Sequence, residues 1–402
     1  MVFFPTKGVR KVKEILQEIK PIVEEVFQHL HANPEISWKE VKTTEYLKEL
    51  LEKEGFEVQT FNDSTGLTVT VGSGEPTVGL RTDIDALWQE VDGEYRANHS
   101  CGHDAHMTMA VGTMLVLKKL GIPKSGRLKV LFQPAEEKGK GALSFIDKGL
   151  VDDIDFLYGV HLRPIQEIGN GFSAPAIMHG ATKMLKGSIT GNDAHGARPN
   201  QGQNAIEVMA LLVNAIHSIH LDSTIPHSAK ITMFKAGGES ANIIPGNGIF
   251  SIDMRAQNNE LMETLLEEVN RAIQFVANFS KVQISYGVAS EIAAAKVDEE
   301  AVKLLGEAIA DTVGEEFLTA PILTPGGEDF HYYTLKRPSI KATMLGLGCG
   351  LAPGLHHPKM TFDQESMLTG IEILARAVLN TFEHFEEGNK DKEENLDLKI
   401  NS

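Results

Sequence analysis

The sequence predicts an α/β fold: a mainly parallel mixed-sheet domain interrupted by a smaller βαββαβ, ferredoxin-like domain. Three observations predict it. Up to residue 161, short β-rich runs alternate with stretches of helical apolar spacing, the rhythm of a parallel sheet covered by helices. Near Lys183 the rhythm becomes strand, helix, strand, strand, helix, strand, the order of a two-layer split βαβ unit. After residue 290 the first rhythm resumes. The expected division is therefore a discontinuous domain of 1–182 and 291–388, an insert at 183–290, and a flexible tail at 389–402.

Each element has its own signal. Val9, Val12, Leu16, Ile19, Val23, Val26 and Leu30 form a helical stripe over 9–31, despite Pro21. A second helix follows over 41–51, ending near Gly55. The runs 56–61, 67–72 and 77–82 read as strands, 104–120 as a helix, 127–133 as a buried strand, 140–148 as a helix and 156–161 as a strand. In the insert, strands fall at 184–190, 229–236, 249–257 and 281–287, with helices at 202–220 and 260–278. A helix at 299–313, a strand at 340–347 and a helix over 364–385 complete the first domain. The segment 386–402 holds six acids and three lysines among few apolar residues, the composition of a frayed end.

Charge and composition exclude several classes. Among 402 residues, Lys and Arg number 38 against 55 Asp and Glu, a net charge of −17. That balance argues against nucleic-acid and anionic-lipid surfaces, which need clustered positive charge. No apolar run approaches the ~20 residues that span a bilayer, and residues 1–20 lack the apolar core and cleavage site of a secretory signal. Only Cys101 and Cys349 are present, too few for a disulfide framework, so a cytoplasmic setting is expected.

Four segments could carry chemistry. In NHSCGHDAHM (99–108), a thiol and an imidazole stand two residues apart, at Cys101 and His103; they can reach one metal from a single loop, or be a buried thiol beside capping residues. Asp104 and His106 then open a helix. In LFQPAEEKGKGA (131–142), Glu136 and Glu137 follow a strand, where α/β folds place their sites. Neighbouring side chains are expected to point apart, one carboxylate on a metal and one handling protons, unless the pair is simply a solvated helix start. FLYGVH ends at His161, either a ligand or a hydrogen-bonded core histidine. GLHHPKM (354–360) offers His356 or His357. Together they suit two divalent ions sharing a ligand. The serine-hydrolase elbow, the phosphate loop and a strand-linked dinucleotide motif are absent from the sequence.

These segments, with HANPEIS (31–37), RTDIDAL (81–87), AHGARPNQGQNAI (194–206), ANIIPG (241–246) and GGEDF (326–330), resemble the M20 family of metallo-aminoacylases and peptidases. The similarity is to its hippurate hydrolases and N-acyl-amino-acid and auxin-conjugate amidohydrolases, and AHGARPN is most similar to AmhX-type bacterial amidohydrolases. The resemblance implies metal ligands at Cys101, His103, Glu137, His161 and His356, since the motif Leu-His-x-Pro selects His356 over His357. It implies a general base at Glu136, a lid histidine at His195 and a lid that often dimerises at about 183–290. It makes Asp83 the acid that steadies a metal-binding residue. Where many members carry a ligand histidine, this chain has Arg81, and the Cys-x-His pair is the subgroup's replacement. The glycine-rich Gly-x-Gly-Gly-His of many members is Gly191-Asn192-Asp193-Ala194-His195 here, so no particular substrate carries over.

The implied reaction is hydrolysis of the amide bond of an N-acyl amino acid. Two divalent ions, Mn²⁺ or Zn²⁺ with Co²⁺ or Ni²⁺ as alternatives, would lower the pKa of a bridging water toward ~7 and supply hydroxide. Glu136 would take the proton and His195 would help hold the oxyanion. His195 could also simply satisfy its own turn. Arg198, Asn242 and Arg255 are candidates for gripping the substrate carboxylate, although Arg255 could instead pair with Asp253. A dipeptidase, an N-acetyl-diaminopimelate-type deacetylase and a non-catalytic binding module are the rivals. The expected partners are a small N-acyl amino acid and, through the lid, a second copy of the chain.

Overall fold

A computed structural model describes the backbone of residues 6–400 and the side chains of residues 11–387. The chain separates into two compact units: 1–177 with 296–322 and 332–402, and 178–295 with 323–331. The stretch Leu323–His331, read from sequence as part of the first domain, groups with the second unit.

The first unit is built on a seven-stranded sheet. Its centre is four parallel strands in the order Gly126–Gln133, Thr77–Asp83, Phe156–Pro164 and Lys341–Leu351. The antiparallel strands Leu67–Ser73 and Val58–Thr60 close one edge, and Ser173–Ala174 closes the other. Both Thr77–Asp83 and Phe156–Pro164 are buried along their whole length, as expected of central parallel strands covered on both faces. The helix Thr6–Ala32 buries Val12, Leu16, Ile19, Val23, Val26 and Leu30 in the core, so the stripe read from sequence is its inner face. The helix His103–Leu120 is buried from His103 to Leu117 and packs between that helix and the final one, Ser366–Ile400. A helix with no polar face is a core element. The tail expected over 389–402 falls among residues whose side chains lie outside the described ones.

Several short elements were missed in the sequence, among them Ser173–Ala174, the helix His331–Lys336 and a hairpin. Leu87–Val91 and Glu94–Asn98 pair as an antiparallel hairpin. Its two turn residues, Asp92 and Gly93, have φ of 54° and 90°, the mirror-image turn that matches strand twist.

The second unit is a four-stranded antiparallel sheet in the order His227–Ala236, Gly248–Ala256, Ala181–Thr190, Gln283–Ile292. Two helices, Ala205–His217 and Asn259–Ser280, lay Val208, Leu212, Leu265, Val269 and Ile273 on Leu185, Ile189, Phe250 and Ile252. Asn204 and Asn258 cap these helices by accepting from the Ile206 and Leu261 backbone amides. The chain order is βαββαβ, as read from the sequence. Among the described residues no helix is long and apolar enough to cross a membrane.

Candidate metal centre

The candidate residues of the first unit converge at the carboxyl ends of its parallel strands, where open α/β sheets leave a crevice. The segment before the helix His103–Leu120 brings Cys101, which is buried, and Gly102, whose φ of 90° suits only glycine well. A Cβ on Gly102 would lie 2.9 Å from Leu162 Cδ1. The turn thus sets the thiol against the strand that carries His161.

Hydrogen bonds fix each imidazole. His103 Nδ1 lies 2.8 Å from the Asp85 carbonyl oxygen and His161 Nδ1 lies 2.7 Å from the Leu162 carbonyl oxygen. A carbonyl only accepts, so both rings donate from Nδ1 and present the Nε2 lone pair. His106 is fixed the other way. Its Nε2 accepts from the Leu162 amide at 3.0 Å, so its Nδ1 donates to Asp83 Oδ1 at 2.8 Å. His106 therefore has no lone pair left for a metal. Asp83 steadies His106 and also accepts from Arg81 Nη1 at 2.9 Å.

The glutamates sit on a short 3₁₀ turn, Glu136–Lys138, after Ala135, a non-glycine residue at φ 53°. Ala135 is pinned there by its N–H, which donates to Glu40 Oε1 at 2.9 Å. The turn is also crowded from behind: a Cβ on Gly141 would lie 1.7 Å from the Pro134 carbonyl oxygen. The Glu136 and Glu137 amides donate to Asp85 Oδ1 and Oδ2 at 3.2 and 3.1 Å. Ser37 Oγ donates to the same carboxylate at 2.6 Å. The two side chains were expected to point apart. Instead Glu136 Oε2 and Glu137 Oε1 lie 3.9 and 4.0 Å from His103 Nε2. The reason is the turn: alternation belongs to extended strands, and here both amides face Asp85.

Asp85 is the residue that sequence reasoning missed. It holds His103 through its carbonyl and both glutamates through its carboxylate. The signal was available, since Asp83 and Asp85 stand two apart at a strand end. His356 follows the strand Lys341–Leu351 on a loop, at φ 62°; its Nε2 is 3.4 Å from Glu137 Oε1.

The donor atoms form overlapping groups. Cys101 lies with His103 and His161, and again with Glu137 and His356; His103 lies with Glu136 and Glu137. Within each group the donor atoms are all within 4.8 Å of one another. The electrostatics are severe. Burial, with the Glu137 charge beside it, pushes the Cys101 thiol up to about 12. Burial disfavours the charged form of His103, but the Asp83 carboxylate and Cys101 outweigh it and hold its pKa well above the usual value. Burial, His106 and Arg163 hold His161 well below the usual value, as a neutral imidazole. Burial raises Asp83, but His103, His106 and Arg81 drive it well below the usual carboxylate range. The surroundings that favour a proton on His103 Nε2 favour any cation there. Among the described residues, His103 Nε2 and Glu137 Oε1 are buried with no hydrogen-bond partner, which is costly unless something satisfies them. Sulfur, imidazole and carboxylate donors at this spacing fit divalent transition-metal ions.

The remaining candidates lie on the second unit. The strand pair Ala194–His195 and Ile243–Ile244, with the Gly196 amide donating to the Asn242 carbonyl at 2.7 Å, brings His195, Arg198 and Asn242 to one exposed corner. His195 Nδ1 accepts from the Ala197 amide at 3.0 Å. Arg255 does not join them. It lies at the far end of Gly248–Ala256, where its Nε donates to Asp253 Oδ2 at 3.0 Å.

Comparisons with known proteins agree with this architecture. The model of peptidase family M20/M25/M40 matches residues 79–380. One component of the p-aminobenzoyl-glutamate hydrolase of Escherichia coli is 29% identical, over 79% of this chain and 77% of its own. An N-acetyl-L-cysteine deacetylase of Bacillus subtilis is 28% identical, over 90% of this chain and 88% of its own. The YXEP protein of Bacillus subtilis, described as a dinuclear metal binding peptidase from the M20 family, superposes with a TM-score of 0.77 at 22% identity, over 92% of this chain and 99% of its own. That likeness is one of fold.

Proposed function

Because the chain belongs to peptidase family M20/M25/M40, we propose that it hydrolyses the amide bond of N-acyl amino acids at the centre described above. The family makes it a metal-dependent hydrolase of amide bonds; the substrate class and the residue roles are our reading. The observation that carries it is the place of Cys101 in two donor groups at once. One ion would be held by Cys101, His103 and His161, and a second by Cys101, Glu137 and His356. Two relatives named for N-acyl amino acids, p-aminobenzoyl-glutamate and N-acetyl-L-cysteine, support the substrate class. When bound, the ions supply Lewis acidity that polarises the amide carbonyl and makes water a better nucleophile at neutral pH.

The chain's own groups do the rest. Glu136 stands beside His103 and Glu137 but in no group with Cys101, and we assign it proton transfer. It takes a proton from the attacking water and delivers it to the amide nitrogen as the C–N bond breaks, leaving a carboxylic acid and a free amine. Asp85 keeps Glu136 and His103 in fixed relation, which is the preorganisation such a transfer needs. On the second unit, His195, Arg198 and Asn242 are assigned contacts to the substrate and its carboxylate. Arg255 stays a candidate for the same carboxylate, since its pair with Asp253 uses Nε and its guanidinium is half-exposed.

The test is a panel of N-acetyl, N-benzoyl and N-p-aminobenzoyl amino acids, with dipeptides and N-acetyl-diaminopimelate as competitors, assayed with Mn²⁺, Zn²⁺ and Co²⁺. Turnover of N-acyl amino acids that is abolished by chelation and restored by metal is expected. Turnover of dipeptides alone, or full activity in metal-stripped protein, would overturn the reading.

A further inference from the structure

Of the three imidazoles assigned to metal, His356 is held differently. His103 and His161 are buried and tied through Nδ1. The His356 side chain is 54% exposed, and among the described residues its ring makes no hydrogen bond. Apart from the 3.4 Å approach of its Nε2 to Glu137 Oε1, packing and ring bonds do not place it. Its backbone is in the left-handed region, at φ 62°, an uncommon conformation for a residue with a Cβ and one that hydrogen bonds on either side can hold.

Two such hydrogen bonds are present, one on each side of the Cα. The His356 amide donates to the Ser100 carbonyl at 2.7 Å, next to Cys101. The His356 carbonyl accepts from Gln89 Nε2 at 3.0 Å. Gln89 is in turn oriented by Asn98, whose Nδ2 donates to Gln89 Oε1 at 2.8 Å and to the Pro358 carbonyl at 3.2 Å. Both Asn98 protons are thus used, one on Gln89 and one on the loop. Gln89 and Asn98 stand on the same face of the hairpin, Gln89 opposite Arg96 and Asn98 opposite Leu87. The other face shows Trp88 and Tyr95 to solvent, 61% and 64% exposed. The hairpin has one face for the loop and one for water.

We propose that Gln89 and Asn98 are positioning residues that clamp the His356 loop and so set the affinity of the second metal position, the one shared by Cys101, Glu137 and His356. The inference rests on the reading of His356 as a ligand. It predicts an asymmetry: the position made by His103 and His161 takes nothing from the hairpin and keeps its affinity when the clamp is removed.

The experiment titrates metal-stripped protein with Co²⁺ alone, by calorimetry and by the thiolate-to-cobalt absorption band. Wild type should take two ions in resolvable steps. Gln89→Ala and Asn98→Ala should weaken the second step by ~10–100-fold, the usual scale for groups that orient a ligand, with the first step unchanged. Gln89→Glu keeps the acceptor for Asn98 but cannot donate to the His356 carbonyl, so it should match Gln89→Ala. In a His356→Ala background, adding Gln89→Ala should leave the remaining step unchanged. Two wild-type steps in Gln89→Ala, or equal weakening of both, would overturn the clamp while leaving the proposed function standing. Fewer than two ions in wild type would overturn that function, and the clamp with it.

Discussion

The two halves of the proposed metal centre are built on opposite plans. In the buried half, His103, His161 and Cys101 are immersed in the core, and every ring has its tautomer set by a carbonyl. In the exposed half, His356 stands on a loop and is governed through its main chain. The first plan makes ligand placement a by-product of folding; the second makes it depend on a few specific hydrogen bonds. A mutation in the first half should therefore damage stability and metal binding together. One in the second half should separate them.

The largest expected effect sharpens that contrast from the buried side. Glu136 is 7% exposed. Glu136→Gln preserves its shape and removes only the base, so turnover should fall by ~10²–10⁴-fold with metal stoichiometry unchanged. Loss of metal instead would show that Glu136 is a ligand. Next, His161→Ala should lower both metal content and the Tm of the metal-free protein, because it opens a void in the core. His356→Ala should lose one ion at nearly constant metal-free Tm. Equal Tm losses would break the comparison. Asp85→Asn is smaller. It replaces one accepting oxygen by an NH₂, so the Glu136 or the Glu137 amide loses its acceptor at a cost of ~1–3 kcal/mol. Activity should fall with stability, as read by kcat/KM and denaturant midpoint.

The smallest effect lies at the edge of the buried half. His31 Nδ1 is 2.6 Å from Asp104 Oδ2. The hydrogen bond to this carboxylate raises the pKa of His31 above 6.5, against the opposing effect of burial. A raised pKa contributes stability that is complete below the unfolded value and disappears as pH climbs through the folded one. The Tm loss caused by His31→Ala should therefore be larger at pH 5.5 than at pH 9, and an equal loss at both would remove the pair from the electrostatics. His31 is 55% exposed, so a loss of a few degrees is the expected scale.

Much of this was legible in the sequence. Helices with a clean apolar stripe, such as Thr6–Ala32, and all-apolar strands such as Phe156–Pro164 announce themselves because burial dictates their pattern. The donor residues were legible as motifs. Their assembly was not, because three of the joints that make it, Gly102, Ala135 and His356, have positive φ imposed by tertiary contacts. Periodicity carries no trace of such joints. The hairpin was a different case. Val91-Asp92-Gly93-Glu94 is a strong two-residue turn signal, and reading it would have put Gln89 and Asn98 on one face. The pair of Arg255 with Asp253 was legible too, because residues two apart on a strand share a face.

Gly141 has no functional group and belongs to no donor cluster, yet its missing methyl is what lets the turn of Glu136 and Glu137 stand where it does. A Cβ there would occupy the space of the Pro134 carbonyl oxygen, which is backbone and has no rotamer to escape into. Relief would require the strand end to retreat, carrying the paired glutamates with it. Gly141→Ala, a single added carbon outside the donor set, is therefore expected to displace the paired glutamates and lower turnover.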